Sequence, residues 1–113
     1  MNKCKCYIIF LLAVPDGIAK PSLVSQTPTS ILIVWSEPEF PNGVILQYGI
    51  ERRLEGTVDA TLIRTFLASD PKEYLDQSAQ VMPFTIYEYR MTVENGVGKA
   101  EGPWASVTTK PSS

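Results

Sequence analysis

The sequence predicts an all-β fold, a seven-stranded antiparallel β-sandwich. From residue 18 onward, no segment keeps the period of about 3.6 residues that an amphipathic helix requires. Several runs instead alternate apolar and polar residues with the period of two that a half-buried strand shows. Clusters of Gly, Pro, Asn and Asp separate these runs. Short strands with turn signals between them are typical of a sandwich.

The first two candidate strands are residues 21–26 and 30–37. In the second of them, alternation places three large apolar side chains on the face that points to the core. These residues are Ile31, Ile33 and Trp35. The third strand, residues 44–53, puts Leu46, Tyr48 and Ile50 on one face. We expect Trp35 and Tyr48 to lie in the core.

Four further strands are predicted, at residues 61–67, 74–79, 85–94 and 104–109. Residues 74–79 alternate poorly and are mostly polar, whereas residues 85–94 show the best alternation in the chain. The aligned side chains of residues 85–94 are Tyr87, Tyr89, Met91 and Val93. We expect the last three to lie in the core, between the two sheets.

The first 17 residues differ in composition from the rest of the chain. Lysines precede a short apolar run at residues 7–14, which resembles a secretory signal; a leader of cloning or splicing origin is the alternative. The only cysteines, Cys4 and Cys6, lie here, so the sandwich is predicted to need no disulfide. We expect residues 1–17 to be an appendage, residues 18–111 the domain, and residues 112–113 a tail.

Several short motifs together resemble the fibronectin type III family over residues 18–111. The motifs are the Ile31-Ile33-Trp35 alternation, Asn42-Gly43 with Ile45 and Tyr48, residues 81–87 (VMPFTIY), residues 95–98 (NGVG) and Thr109-Lys110-Pro111. The resemblance implies an immunoglobulin-like topology in which Trp35 fills the core. It also implies that the Tyr87 hydroxyl bonds to backbone just upstream. Immunoglobulin domains proper are a poorer match, because the chain lacks their Cys, Trp, Cys spacing.

Composition argues against catalysis and against nucleic-acid binding. The chain has no histidine, and its 10 basic and 12 acidic residues give a net charge of −2 without a basic cluster. Glu37 and Glu39 are expected to face water in a loop, and no Gly-rich loop could hold a phosphate. The spacing of Asp59, Asp70 and Asp76 does not suit calcium. We therefore predict no enzyme activity, no catalytic residue, no metal and no cofactor.

The resemblance implies a structural spacer and protein-binding or adhesion module of a larger extracellular or cell-surface protein. Its expected partners are an unidentified protein and neighbouring modules of the same array, with no direct contact between the domain and a membrane. A cytoplasmic module of the kind found in muscle filaments is the main alternative. A carboxylate-based hydrolase is a remote alternative.

Two loops are the predicted place of partner contact, because loops on a rigid scaffold are where binding usually occurs. They are residues 38–43 and 95–103, which lie side by side in the family that the chain resembles. The candidate partner-binding residues are Phe40, Asn42, Asn95, Val97 and Lys99. For Phe40 two roles stay open, since an aromatic residue in a polar turn can anchor a partner or cap the core.

Overall fold

The computed structural model describes residues 12–112, which form eight β-strands. The strands are β1 Ser22–Thr27, β2 Ser30–Val34, β3 Ile45–Leu54, β4 Thr61–Leu67, β5 Glu73–Asp76, β6 Ile86–Asn95, β7 Lys99–Glu101 and β8 Ala105–Thr108. They form a three-stranded sheet in the order β1-β2-β5 and a five-stranded sheet in which β3 lies between β4 and β6. All pairings are antiparallel, so the predicted two-sheet sandwich is confirmed.

The structure has one strand more than the predicted seven, because residues 99–101, which were predicted to lie in the loop 95–103, form β7. β7 pairs with the end of β6 and β8 pairs with its start, so both continue the same edge of the sheet. Gly102 and Pro103 lie between β7 and β8. A proline cannot donate a ladder hydrogen bond, which explains why pairing stops and resumes at this point.

The core lies between the two sheets and contains the side chains that alternation predicted. Its buried residues are Ile31, Ile33, Trp35, Tyr48, Ile50, Phe66, Val81, Tyr87, Tyr89, Met91 and Val93. The aromatic rings pack on one another, with 4.9 Å between the ring centres of Trp35 and Phe66. Tilted contacts of this kind add to the free energy gained by burying the rings.

Leu46 was predicted to share the inward face of β3, and this prediction is wrong. Its side chain is 50% exposed. The register between β3 and β6 shifts between Ile45 and Gln47, so one extra residue lies in β3 at that point. A bulge of this kind reverses the alternation before it, which turns Leu46 outward and lets Ile45 pack against the core.

β5 also differs from the strand predicted at residues 74–79: it begins at Glu73 and already ends at Asp76. The Asp76 carboxylate accepts hydrogen bonds from the backbone N–H and the hydroxyl of Ser78, at 3.3 and 2.9 Å. Aspartate side chains often bond backbone two residues further on, and this forms a turn that competes with continued pairing.

Tyr87 adopts the arrangement that the family resemblance implies. Its hydroxyl donates to the carbonyl oxygen of Gln80 at 2.8 Å and accepts from the N–H of Met82 at 2.7 Å. The ring is 3% exposed, so its polar end is fully bonded where it is buried. These two bonds fix the loop that leads from β5 to β6.

Residues 13–17 lie against the sandwich at the end where β3 begins. Asp16 and Phe40 exchange backbone hydrogen bonds of 2.8 and 3.0 Å. Cys4 and Cys6 lie outside the described residues, and so does most of the signal-like run predicted at residues 7–14. The domain boundary at residue 18 remains a prediction. Among residues 12–112, no helix is long and apolar enough to cross a membrane.

Candidate protein-binding surface

Asn95, the last residue of β6, holds together the two loops that were predicted to bind a partner. Its side-chain oxygen accepts from the backbone N–H groups of Val97 and Gly98, at 2.9 and 3.1 Å. Its side-chain nitrogen lies 3.1 Å from the carbonyl oxygen of Pro41 and 3.0 Å from that of Asn42. These contacts place residues 38–43 and 95–103 side by side, as the family resemblance implied.

The Asn42-Gly43 turn at this end has the backbone geometry that its sequence predicts. Asn42 has φ of 54° and Gly43 has φ of 128°, values that these two residue types tolerate better than most. The Asn42 side-chain nitrogen donates to the carbonyl oxygen of Val14 at 2.8 Å. The turn is therefore tied to the incoming chain as well as to Asn95.

Phe40 lies at the edge of the same surface. Its side chain is 53% exposed and does not belong to the core cluster or to the half-buried residues packed against it. Its backbone is nevertheless fixed by the two hydrogen bonds to Asp16. The ring therefore does not cap the core, and its role as an anchor for a partner remains a prediction.

Val97 and Lys99 complete the surface on the side of the second loop. Val97 is 46% exposed and Lys99 is exposed. Val97 also lines a shallow apolar groove of about 580 Å³ together with Leu12, Val44 and Leu46. We expect exposed apolar area of this kind to suit contact with another protein.

The structure divides the five predicted partner-binding residues into two groups. Phe40, Asn42, Val97 and Lys99 are exposed on the two segments that Asn95 ties together; we call them the loop surface. Asn95 is 2% exposed and both ends of its amide are engaged, so it is unavailable to a partner and acts by holding the loops. Asn95 ends a strand that alternates regularly, and this position in the sequence does not indicate that its side chain is buried.

A buried polar cluster, which the sequence analysis did not predict, lies beneath the opposite end of the sandwich. The Asp76 carboxylate accepts hydrogen bonds from the Arg52 guanidinium at 2.7 Å and from the Tyr89 hydroxyl. The Tyr89 hydroxyl lies 2.6 Å from the carboxylate oxygen, and Asp76 and Tyr89 are both fully buried. The only sequence signal is that Arg52 and Asp76 occupy inward-facing positions of their strands.

The protonation states of this cluster are strongly biased. Burial alone would raise the pKa of Asp76, but hydrogen bonds from Tyr89, Arg52 and Ser78 outweigh it and lower that pKa. Burial, followed by the hydrogen bond to Asp76, raises the pKa of Tyr89. The cluster therefore holds an ionised carboxylate and a neutral phenol, with Arg52 as the counter-ion. It is closed to solvent, which indicates a structural role.

A half-buried stack of charged residues on Trp104 lies on the outer face of the larger sheet. The guanidinium groups of Arg53 and Arg90 lie 4.0 and 4.5 Å from the centre of the Trp104 ring. Arg53 pairs with Glu88 at 2.7 Å, and Arg90 with Glu51 at 2.7 Å. Arginine stacks well on an indole face, so these contacts cover the ring with charge and leave little apolar surface.

The acidic residues considered for chemistry are not gathered by the fold. Glu37 and Glu39 are both exposed, and Glu37 lies 4.0 Å from Lys72. Asp70 accepts the backbone N–H of Leu67 in a turn, while Asp76 belongs to the buried cluster. Within residues 12–112, no group of three or more His, Cys, Asp or Glu side chains is placed to hold a metal ion.

Comparison with known sequences shows a relationship to two large proteins, and no family model matches the chain. The wording of residues 41–45 and 74–76 predicts a similarity to usherin, and human usherin is 40% identical over 100 residues, covering 87% of this chain. Mouse protein sidekick-2 is 33% identical over 95 residues, covering 84% of this chain. The chain spans only 2% of human usherin and 4% of mouse sidekick-2.

Comparison with solved structures identifies the fold. The sixth fibronectin type III domain of human fibronectin type III domain containing protein 3 superposes with a TM-score of 0.73 at 21% identity, covering 89% of this chain and 91% of that domain. Domains A168–A170 of titin match with a TM-score of 0.71 at 19% identity, covering 86% of this chain and 32% of that one. The chain has the fold of a fibronectin type III domain and is similar in sequence to usherin and sidekick-2.

Proposed function

We propose that this domain is a non-catalytic spacer and protein-binding module of a larger extracellular or cell-surface protein. The sequence relatives support this, since usherin and the sidekick proteins are extracellular or cell-surface proteins of which such a domain is a small part. A cytoplasmic filament module is the second candidate, because titin domains share the fold. Fold similarity alone carries little information about function, so the sequence relatives carry more weight, and they support the extracellular role.

The course of the chain supports the role of spacer. Residues 13–17 contact the end of the sandwich where β3 begins, and Lys110 lies beside Phe84, at the end where β6 begins. β3 and β6 are antiparallel strands of 10 residues each, which separate these ends by about 30 Å. A chain that enters at one end and leaves at the other extends an array by nearly the full length of each module.

The observation that carries the binding role is the loop surface. Its exposed side chains Phe40 and Val97 stand on loops that Asn95 and the Asp16–Phe40 pairing hold in place. A partner that binds ordered loops avoids much of the entropy cost of fixing them. The other proposed partners are the neighbouring modules of the array. No direct membrane contact or nucleic-acid contact is proposed.

Staining of intact animal cells with fluorescent tetramers of the domain tests this function. We expect Phe40→Ala to reduce affinity by about 2 kcal/mol or more, because aromatic anchors dominate protein interfaces. We expect the same change to alter the free energy of unfolding by about 0.5 kcal/mol or less, as for exposed side chains in general.

The matched control is Leu67→Ala, which removes a side chain that is 63% exposed on β4, outside the loop surface. It should leave staining unchanged. Equal staining by Phe40→Ala and the unaltered domain would show that the loop surface does not bind. A complete lack of staining by the unaltered domain would instead favour the cytoplasmic alternative.

A further inference from the structure

The tripeptide Asn-Gly-Val occurs twice in the chain, at residues 42–44 and 95–97. Asparagine is one of the chemically labile residue types. It is most labile before glycine, which has no Cβ to hinder attack of its backbone nitrogen on the asparagine side chain. Because the two tripeptides are identical, a difference in reactivity between Asn42 and Asn95 has to come mainly from the fold.

The fold shields the amide of Asn95, which is 2% exposed. Its oxygen accepts two backbone N–H groups of its own loop, at 2.9 and 3.1 Å. Its nitrogen lies 2.8, 3.1 and 3.0 Å from the carbonyl oxygens of Ala13, Pro41 and Asn42. Rotation of the amide toward the nitrogen of Gly96 would break these contacts and leave buried polar groups unpaired. Asn95 should therefore react only after this end of the domain opens.

Asn42 lies in the loop between β2 and β3 and is exposed, as is Gly43. One hydrogen bond holds its side chain, from the side-chain nitrogen to the carbonyl oxygen of Val14 at 2.8 Å. Among residues 12–112, neither the side-chain oxygen of Asn42 nor the N–H of Gly43 has a hydrogen-bond partner. Water reaches both groups, so the Gly43 nitrogen can lose its proton and attack once a single bond breaks.

We propose that Asn42 is a site of spontaneous deamidation that loosens residues 13–17, and that the fold protects Asn95 from the same reaction. The deprotonated backbone nitrogen of Gly43 forms a bond to Cγ of Asn42. The bond between Cγ and Nδ2 breaks, ammonia leaves with the proton, and a five-membered succinimide closes. Water then opens the ring at either carbonyl and gives aspartate or isoaspartate. The net reaction consumes one water and releases one ammonia, and no oxidant or reductant takes part.

The product changes the contact between this turn and the incoming chain. An ionised carboxylate has no hydrogen to donate, so the bond to the carbonyl oxygen of Val14 is lost and two oxygens face each other in its place. Residues 13–17 keep other ties, including the pairing of Asp16 with Phe40. With one tie replaced by repulsion, we expect residues 13–17 to separate from the sandwich more often. The reaction also adds a negative charge to the loop surface.

Incubation of the full chain at body temperature and mildly alkaline pH, followed by peptide mass spectrometry, measures the mass gain at each asparagine. In the folded chain we expect Asn42 to be converted at least about ten times faster than Asn95, because Asn95 reacts only through local opening. In concentrated urea the two rates should become similar. Asn42→Gln is the control, since attack on glutamine would need a larger ring, and it should abolish the gain at this position. Conversion of Asn42 in urea but not in the folded chain would overturn the proposal, and so would a ratio of rates that urea leaves unchanged.

Asn42→Asp reproduces one product and tests its effect on residues 13–17. The N–H of Asp16, which donates to the carbonyl oxygen of Phe40 at 2.8 Å, should exchange its hydrogen faster in this variant. The N–H of Thr109, which donates to the carbonyl oxygen of Thr85 at 2.9 Å at the other end of the sandwich, is the control and should exchange as before. Unchanged exchange at Asp16 would overturn the proposed loosening. Both measurements are made without a partner, so this proposal and the binding function can fail separately.

Discussion

Arg52 and Arg53 are neighbours on β3, yet they occupy opposite environments. Arg52 points inward and pairs with Asp76 at 2.7 Å, with side-chain exposures of 9% and 0%. Arg53 points outward, pairs with Glu88 at the same distance and stacks on Trp104. The period-two geometry of a strand alone separates the two guanidinium groups. Two ion pairs of equal length thus differ in solvent access, and this difference should set their energetic weight.

Solvent determines what happens when each pair is broken. Removal of one member of a buried pair leaves the other as an unpaired charge in a medium that solvates it poorly. Removal of a member of an outer pair leaves a group that water can reach, and the pair itself is screened by salt. The inner pair is therefore expected to be costly to break, although it need not be more stabilising than an apolar substitute would be.

The largest expected effect is that of Asp76→Ala. It should cost about 3–5 kcal/mol of unfolding free energy, because Arg52 loses its counter-ion and the Tyr89 hydroxyl loses its acceptor. Urea unfolding at neutral pH measures this cost. Asp59→Ala, which removes an exposed carboxylate, is the control and should change stability little. A loss below about 1 kcal/mol for Asp76→Ala would mean that the inner pair behaves like an outer one.

The next effect is the response to pH. The folded-state pKa of Asp76 lies below its unfolded value, so its contribution is fully present above the unfolded value of about 3.9 and is lost as pH falls through the folded pKa. The folded-state pKa of Tyr89 lies above its unfolded value, so its contribution is present below about pH 10 and is lost at higher pH. The urea midpoint of unfolding, measured from pH 2 to 11, follows the loss of the Asp76 contribution in acid and the onset of the loss of the Tyr89 contribution in base.

Asp76→Asn sharpens this comparison, because the amide keeps the shape but cannot ionise. We expect the urea midpoint of Asp76→Asn to be lower than that of the unaltered domain at neutral pH. Between pH 5 and 2 it should change less than that of the unaltered domain, because this range spans the unfolded aspartate pKa of about 3.9. If the urea midpoint of the variant falls as steeply at low pH as that of the unaltered domain, other carboxylates are responsible for the acid sensitivity.

The core could be predicted from sequence because its signal is local. Alternation in residues 30–35 and 85–94 identified the inward faces, and turn residues marked the loop positions. Leu46 was misplaced because a bulge is a property of two paired strands, and one strand's pattern cannot show where an extra residue lies.

The buried polar cluster and the role of Asn95 were missed for a related reason. Arg52 and Asp76 are 24 positions apart, and polar residues in inward positions normally argue against burial. Only the meeting of β3, β5 and β6 supplies the partners that make this burial possible. Asn95 likewise contacts residues more than 50 positions away, so its bonds depend on the completed fold.

The smallest effect is that of Arg53→Ala on the outer face. It removes the pair with Glu88 and one of two stacking partners of Trp104, while Arg90 still covers the ring at 4.5 Å. We expect a loss of about 1 kcal/mol, because water still reaches this half-buried pair and screens it. A double-mutant cycle with Glu88→Ala isolates the ionic part, which should shrink in 1 M NaCl because the Debye length falls to about 3 Å. The coupling between Arg52 and Asp76, measured in the same way, should be larger and less sensitive to salt, since solvent ions do not reach the inner pair. Equal salt sensitivity of the two couplings would contradict the view that solvent access, rather than distance, sets the difference between the neighbouring arginines.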